Sequence, residues 1–207
     1  MGCSPKISNE ILNKMSTLDE DLNKSKFYYE AVSLQEKYPE LKIEGKIIPA
    51  SKAKTKLQKL AINQRENSET KIIRDIEGSC GKIRVIRKGS ANLMRVSYIT
   101  LGDPSLPDGN EEAADKILEE FKRNPNFPEL NKKFTKDGNT KNGGDLGWFN
   151  EKMMAEDFGK AIRLHKKGDI YKAFVAPYGW YIIYNTHEVL ENEEFIECIE
   201  IKKEDCR

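Results

Sequence analysis

The sequence predicts an α+β fold, with a helix-rich N-terminal module followed by a C-terminal unit whose element order is β, α, α, α, β, β. Apolar residues recur at helical spacing through most of the first 65 residues. From Lys71 onward, segments alternate between apolar and polar residues with a period of two, which is typical of half-buried strands. With 207 residues, the chain is long enough for two small domains that each bury a core.

The overall charge balance and the hydropathy argue against a nucleic-acid-binding protein and against a membrane-spanning one. Lys and Arg total 35 and Asp and Glu total 34, so the formal net charge is +1 and no global field selects nucleic acid or anionic lipid. No apolar run approaches the roughly 18 to 20 residues that a membrane-spanning helix needs. We therefore expect a soluble globular protein with no nucleic-acid partner.

The cysteines bear on location and redox state. No apolar export signal precedes Cys3, and Lys6 stands where an N-myristoylation signal has Ser or Thr. Cys3 is interpreted either as the lipid-bearing first residue of a mature bacterial lipoprotein or as an ordinary exposed cysteine. Cys80, Cys198 and Cys206 lack the spacing of zinc ligands, so we expect no metal. Two of these three can form a disulfide in an oxidising compartment, and the spacing does not say which two.

Three helices are predicted in the N-terminal module. Apolar residues from Ile11 to Leu22 predict the first, and those from Phe27 to Tyr38 predict a second that Pro39 ends. Ser51 is in position to cap a third helix, which carries Leu57 on its apolar face.

A strand and a boundary follow the helices. Ile83 and Val85 alternate with charged residues and predict a half-buried strand, and Lys88-Gly89-Ser90 is the best boundary between the two halves. Weak alternation from Phe195 to Ile201 predicts that the tail can add an edge strand to the first module. The predicted division is therefore an N-terminal module over 1–90 that matches no family known to us, a second domain over 93–188 and a tail over 189–207.

The second half of the chain has clearer signals for where helices and strands begin and end. Asn110 is placed to cap a helix whose buried stripe runs from Ala113 to Phe121, and Asn124-Pro125 ends that helix. The other predicted elements are a strand over Arg95 to Leu101, helices over Phe127 to Phe134 and around Phe158, and strands over Ile170 to Val175 and Trp180 to Asn185.

The most informative stretch is Asn142-Gly143-Gly144-Asp145-Leu146-Gly147-Trp148-Phe149. Its two adjacent glycines allow positive φ, and the apolar residues that follow return the chain to a core. Together with Val96 to Leu101 upstream and Tyr178 to Ile183 downstream, it resembles the parvulin family of peptidyl-prolyl cis/trans isomerases over about residues 93–188. The resemblance implies a four-stranded antiparallel sheet wrapped by helices.

The resemblance also implies a pocket for a proline ring. It places that pocket at Leu146, Met154 and Phe158, with Phe149 supporting it. Met and Phe suit a flat apolar ring, and proline can pack against an aromatic face. The alternative is that all four side chains belong only to the core, because apolar residues at helical spacing usually do.

The polar part of the site departs from the family pattern. Parvulins generally have a histidine in the first strand, another in the last, a cysteine or aspartate between them, and a nearby Ser or Thr. The matching positions in this chain are Tyr98, Tyr181, Asp137 and Ala176, so only the aspartate is retained. Tyr98, Tyr181 and Asp137 are the candidate catalytic residues, although tyrosines do not titrate near neutral pH as histidines do. Asp137 can equally be a turn residue before Gly138.

The expected function is peptidyl-prolyl isomerisation, or foldase action on Xaa-Pro bonds of unfolded client proteins, outside the cytoplasm of a bacterium. Rotation about an Xaa-Pro bond needs no nucleophile, metal or other cofactor. The first alternative is a catalytically degenerate chaperone or assembly module that binds proline segments without isomerising them, which the loss of both histidines favours. The second is that the parvulin-like domain is purely an interaction module within an envelope complex, which dimerisation through the N-terminal helices would support.

Overall fold

The computed structural model describes residues 9–74, 79–140 and 142–204. The chain divides into two compact units, one formed by residues before 91 and after 192, the other by residues 91–192. Cys3, the predicted lipid-bearing residue, lies outside the described residues, as does Cys206. No helix in the described ranges combines the length and the apolar character needed to cross a membrane.

The described elements comprise six α-helices, nine strands and three short 3-10 helices. The α-helices are α1 (Asn9–Lys24), α2 (Ala31–Lys37), α3 (Lys56–Ile62), α4 (Glu111–Arg123), α5 (Phe127–Phe134) and α6 (Glu156–Arg163). The strands are β1 (Lys42–Pro49), β2 (Ser68–Glu69), β3 (Ile73–Arg74), β4 (Cys80–Met94), β5 (Val96–Thr100), β6 (Phe149–Asn150), β7 (Ile170–Val175), β8 (Gly179–Asn185) and β9 (Leu190–Lys203). The 3-10 helices cover Tyr28–Glu30, Ala50–Lys52 and Glu151–Met153.

The first unit is an α+β module whose sheet has the strand order β1-β9-β4-β2, with β3 also paired to β4. Residues of β9 alternate between two cores. Ile199 and Ile201 pack with α1 and α2, whereas Ile196 and Cys198 pack with α3. Because both faces of the sheet are covered, every residue from Phe195 to Ile201 is buried.

The C-terminal strand is an interior strand, which corrects the predicted edge strand. It pairs with β1 on one side and with β4 on the other. Its weak alternation reflects burial on both faces rather than exposure of one, and sequence alternation alone does not distinguish these cases.

The third helix also begins later than Ser51, which lies in a 3-10 helix. Thr55 is the N-cap of α3, and its hydroxyl accepts a 3.1 Å hydrogen bond from the amide of Gln58. The Gln58 side chain accepts in return from the Thr55 amide at 3.3 Å, which completes a capping box.

The second unit contains an antiparallel sheet with the order β5-β8-β7. On the side we call the closed face, Ile99 and Ile182 pack against residues of α4 and α5. On the other side, which we call the pocket face, Val96 and Ile183 pack against α6 through Phe158. Successive residues of β5 and β8 alternate between the two faces, as the period of a strand requires.

The fourth strand of the predicted sheet is reduced to a single bridge. Ser97 of β5 pairs with Asp145 as an isolated antiparallel bridge. On either side of it, the amide of Tyr98 donates to the carbonyl of Gly144 and the amide of Leu146 donates to the carbonyl of Val96, each at 3.1 Å. The α+β class and the parvulin-like arrangement are confirmed, with three full strands and this bridge beside β5.

Candidate functional site

The glycine turn brings Leu146 to the pocket face. Gly143, Gly144 and Gly147 have φ values of +63°, +80° and +69°, a region that other residues rarely adopt. A Cβ atom at Gly144 would lie 2.4 Å from the carbonyl oxygen of Tyr98, so the segment approaches β5 closely only because this residue has no side chain. The predicted role of the adjacent glycines is therefore visible in the backbone.

An ion pair holds this turn. Arg95 donates from Nε to Oδ1 of Asp145 at 3.1 Å and from Nη2 to Oδ2 at 2.6 Å, and Asp145 Oδ1 also accepts from the Gly147 amide at 2.9 Å. Burial is the largest influence on this carboxyl and raises its pKa, but the Arg95 and Gly147 hydrogen bonds with nearby positive charge outweigh it. The pKa of Asp145 is therefore lowered. The prediction missed this pair, although an acidic residue between positive-φ glycines was a visible signal.

The predicted apolar residues lie in one cluster on the pocket face, with different degrees of exposure. Phe158 is 2% exposed and Phe149 is 5% exposed, and their ring centroids are 6.4 Å apart. Leu146 and Met154 are half-buried and pack against the same cluster. The two phenylalanines thus form the floor, while Leu146 and Met154 retain surface that a ligand can contact.

Two tyrosines cover the same floor. The Tyr98 and Tyr181 ring centroids are 5.8 Å apart, and Phe158 makes edge-on contacts with Tyr98 at 6.4 Å and with Tyr181 at 5.7 Å. Such edge-to-face pairs are favoured by the charge distribution of aromatic rings. The positions where the family has histidines are therefore adjacent in space and lie against the apolar floor.

Asp137 connects the tyrosines to a polar loop. The hydroxyl of Tyr98 donates a hydrogen bond to Oδ2 of Asp137. Oδ1 of Asp137 accepts from the hydroxyl of Thr135 at 3.1 Å and from the amide of Asn139 at 3.0 Å. The carboxylate therefore both closes a turn and accepts from a tyrosine of the pocket face, which is compatible with either interpretation of this residue. Thr135 and Asn139 were not predicted, because the sequence does not show that their loop lies against Tyr98.

Both phenols are harder to ionise than an isolated tyrosine. Burial, followed by the hydrogen bond to Asp137, raises the pKa of Tyr98. Burial also raises the pKa of Tyr181, against the opposing effect of the Thr100 hydroxyl. Because an unperturbed tyrosine already titrates near pH 10, both hydroxyls remain neutral at physiological pH and can act as hydrogen-bonding groups.

The remaining family position and the histidines lie elsewhere. Ala176 is exposed in the turn between β7 and β8. His165 stacks on Tyr171 with centroids 3.5 Å apart, and His187 contacts Trp148 at 5.1 Å. Within the described ranges, no group of three or more His, Cys, Asp or Glu side chains is arranged to hold a metal ion. Cys80 is disulfide-bonded, and Cys198 is buried and free.

Comparison with known proteins identifies the family. The PPIC-type PPIase domain matches residues 84–188, half of the chain. Foldase protein PrsA of Bacillus subtilis (strain 168) is 31% identical over 102 residues, covering 49% of this chain and 32% of that protein. Chaperone SurA of Pseudomonas putida is 28% identical over 109 residues, covering 49% of this chain and 26% of that protein. The chain thus matches about a third or less of the length of these relatives.

Two solved structures match part of this chain. The crystal structure of PrsA from Bacillus subtilis shares 31% identity with a TM-score of 0.40, covering 46% of this chain and 35% of that one. The solution structure of NmPin, the parvulin of Nitrosopumilus maritimus, shares 26% identity with a TM-score of 0.39, covering 48% of this chain and all of that one. The family match over residues 84–188 confirms the resemblance predicted from the sequence, and the chain belongs to the PPIC-type peptidyl-prolyl isomerase (parvulin) family.

Proposed function

We propose that this chain isomerises Xaa-Pro peptide bonds of unfolded polypeptides and acts as a foldase. The observation that carries the proposal is the half-buried apolar surface of Leu146 and Met154, which lies beside the Tyr98–Asp137 hydrogen bond in a parvulin-family domain. The names of the matched relatives, a foldase and a chaperone, agree with action on polypeptides.

The physical task is to lower a rotational barrier of about 18 to 20 kcal/mol. At the top of that barrier the C–N bond is twisted and amide resonance is lost, so the enzyme must bind the twisted form more tightly than the planar one. In our proposal, Leu146 and Met154 contact the proline ring while Phe149 and Phe158 support them from below. Holding the ring still lets the preceding residue rotate against it.

The polar residues supply hydrogen bonds rather than proton transfer. Tyr98 and Tyr181 stay neutral, and Asp137 is held by Thr135 and Asn139 at the edge of the pocket. We assign the tyrosine hydroxyls to interaction with the peptide carbonyl or nitrogen as conjugation is lost, in place of the family's histidines. Because neither phenol titrates near neutrality, we expect a rate that is flat between about pH 6 and 8.

The location and the division of labour are also proposals. A disulfide at Cys80 is consistent with an oxidising, extracytoplasmic compartment. Anchoring through a lipid at Cys3 stays a prediction. We propose that the module formed by residues 1–90 and the C-terminal strand binds extended client chain, while the domain over about 93–188 catalyses.

The decisive experiment is exchange NMR on a short unphosphorylated Xaa-Pro peptide with the full-length chain. We expect accelerated exchange, reduced about tenfold in Met154→Ala, because loss of the methionine contact removes roughly 1.4 kcal/mol of transition-state binding. Met153→Ala is the matched control, because Met153 is 47% exposed and lies outside the pocket cluster. Changes in the peptide's chemical shifts without accelerated exchange would indicate a binding chaperone. Equal effects of Met154→Ala and Met153→Ala on the exchange rate would show that the pocket is misplaced.

A second variant separates the apolar contacts from the polar ones. We expect Asp137→Asn to reduce the exchange rate less than Met154→Ala does, because an amide retains an acceptor for Tyr98. The same NMR measurement tests this ranking. A larger loss of exchange rate in Asp137→Asn would mean that the negative charge contributes more to catalysis than the apolar contact with the proline ring.

A further inference from the structure

A lysine-rich surface in the first unit has no role in the proposed reaction. Lys52 lies in a 3-10 helix, Lys54 precedes the N-cap of α3, and Lys56 and Lys59 lie in that helix. We call these four residues the basic surface. All four are exposed, and among the residues that the structure describes none of their ammonium groups pairs with a carboxylate.

The segment that carries the basic surface has an unusual charge composition for this chain. Several exposed lysines elsewhere pair with carboxylates, as Lys133 does with Glu120 at 2.8 Å and Lys160 does with Glu156 at 2.6 Å. The sequence from Lys46 to Arg65 contains six basic residues and no acidic one. Outside that window acidic residues outnumber basic ones by 34 to 29, so the near-neutral total charge conceals a strongly basic segment.

Two lysines of the basic surface oppose the dipole of α3, whereas Lys59 lies in its last turn, where a cation is favourable. Lys54 and Lys56 flank the N-terminus of α3, where a cation is unfavourable because the partial charge there is positive. Helix α4 follows the usual rule, with acidic residues in its first turn and Lys122 and Arg123 in its last. The capping box of Thr55 and Gln58 already stabilises the start of α3. Lys54 and Lys56 therefore do not stabilise the start of their own helix, and the fold gives no reason for their charge.

The outward face of α3 presents these charges together with an apolar residue. Leu57 and Ala61 are buried in the core beneath the helix, so Lys56 and Lys59 point away from it. Leu60, on the same helix, is 39% exposed. Glu193 borders the surface, where its carboxylate accepts a 2.7 Å hydrogen bond from the amide of Ser51.

We propose that the basic surface docks on an anionic phospholipid bilayer. All four cations are lysines, which are compact point charges suited to a diffuse array of phosphates, whereas bidentate recognition of single groups uses arginine. Residues 50–65 contain no aromatic side chain on which a base could stack, so single-stranded nucleic acid is disfavoured. Leu60 supplies an apolar contact that can enter the headgroup region. Docking orients the first unit on the membrane independently of any lipid at Cys3.

Vesicle co-sedimentation with the full-length chain, expressed without lipid modification, tests the proposal. We expect binding to equimolar phosphatidylglycerol and phosphatidylcholine vesicles, none to pure phosphatidylcholine, and a steep loss as salt is raised. Replacing each lysine of the basic surface by Gln should weaken binding about fivefold, and replacing all four should weaken it more than a hundredfold.

The matched control removes the same total charge from the second unit. Lys116, Lys122, Lys132 and Lys133 are exposed residues of α4 and α5, and their fourfold replacement by Gln should change vesicle binding less than twofold. Thermal unfolding of both fourfold variants checks that they are folded. Equal losses in the two variants, or no binding to anionic vesicles, would overturn the proposal. Binding of polyglutamate but not of vesicles would also overturn it and assign an acidic protein partner instead.

Discussion

The two faces of the sheet in the second unit carry similar apolar residues, yet they differ in the polar groups beside those residues. On the closed face, Ile99 and Ile182 are fully buried beneath α4 and α5. On the pocket face, Phe158 is equally buried, but Tyr98 and Tyr181 lie over it and remain partly exposed. Apolar spacing is the same on both sides. The closed face also has half-buried aromatic residues, including Tyr184. The difference is that the Tyr98 hydroxyl of the pocket face donates a hydrogen bond to the Asp137 carboxylate.

The elements that cover the two faces also differ. Two helices cover the closed face, whereas α6 and the glycine turn cover the other face and leave Leu146 and Met154 half-buried. In our proposal, contact with the proline ring therefore depends on Leu146 and Met154, which stay partly exposed.

The largest expected effect tests whether the floor of the pocket is also core. Phe158→Ala and Phe127→Ala each remove a buried phenyl ring, one from each face, and each should cost about 3 to 5 kcal/mol of unfolding free energy. Denaturant unfolding measures the cost, and peptide binding is then compared per folded molecule. Only Phe158→Ala should weaken binding. Equal binding by the two variants would remove the distinction between the faces.

A smaller effect is expected from the hydroxyl groups. Tyr98→Phe removes the donor to Asp137 on the pocket face, while Tyr184→Phe removes a hydroxyl next to the Phe127 ring on the closed face. Each should change the unfolding free energy by about 1 kcal/mol or less. Exchange NMR should show slower isomerisation only for Tyr98→Phe. A comparable loss in Tyr184→Phe would point to a general effect on folding.

The smallest expected effect is the pH dependence of the Arg95–Asp145 pair. The pKa of Asp145 is lowered in the folded state, so the stability it contributes is present above its ordinary value of 3.8 and is lost as pH falls through the folded value. Arg95→Gln should lower the unfolding free energy by at most about 1 kcal/mol at pH 7, because the pair is partly exposed. The difference in unfolding free energy between Arg95→Gln and the wild type should become smaller as the pH is lowered.

Lys133→Gln is the matched control for this pH series, because it breaks an exposed ion pair with Glu120 on the other side of the domain. Chemical unfolding of both variants between about pH 3 and 7 measures the effect, and Lys133→Gln should not differ measurably from wild type. If the loss of unfolding free energy in Arg95→Gln is the same at every pH, Arg95 acts by packing rather than through the Asp145 carboxylate.

The sequence by itself determined features that depend on a few neighbouring residues. Adjacent glycines at 143 and 144 predicted positive φ, and Asn110 predicted the N-cap of α4, where its side chain accepts from the Ala113 amide at 3.0 Å. Both outcomes follow from local sterics and local hydrogen bonding, which residues within one turn decide. The glycine-rich stretch and the two strand segments around it were also sufficient to identify the family.

Only the tertiary structure decided the features that depend on partners distant in sequence. The interior position of β9, the pairing of Tyr98 with Asp137 and the pairing of Arg95 with Asp145 each join segments separated by tens of residues. Period-two alternation cannot choose a neighbouring strand, and helical spacing cannot tell the buried Phe158 from the half-buried Met154. The physical reason is that burial depends on what packs above a residue, which the chain specifies only once all its elements are assembled.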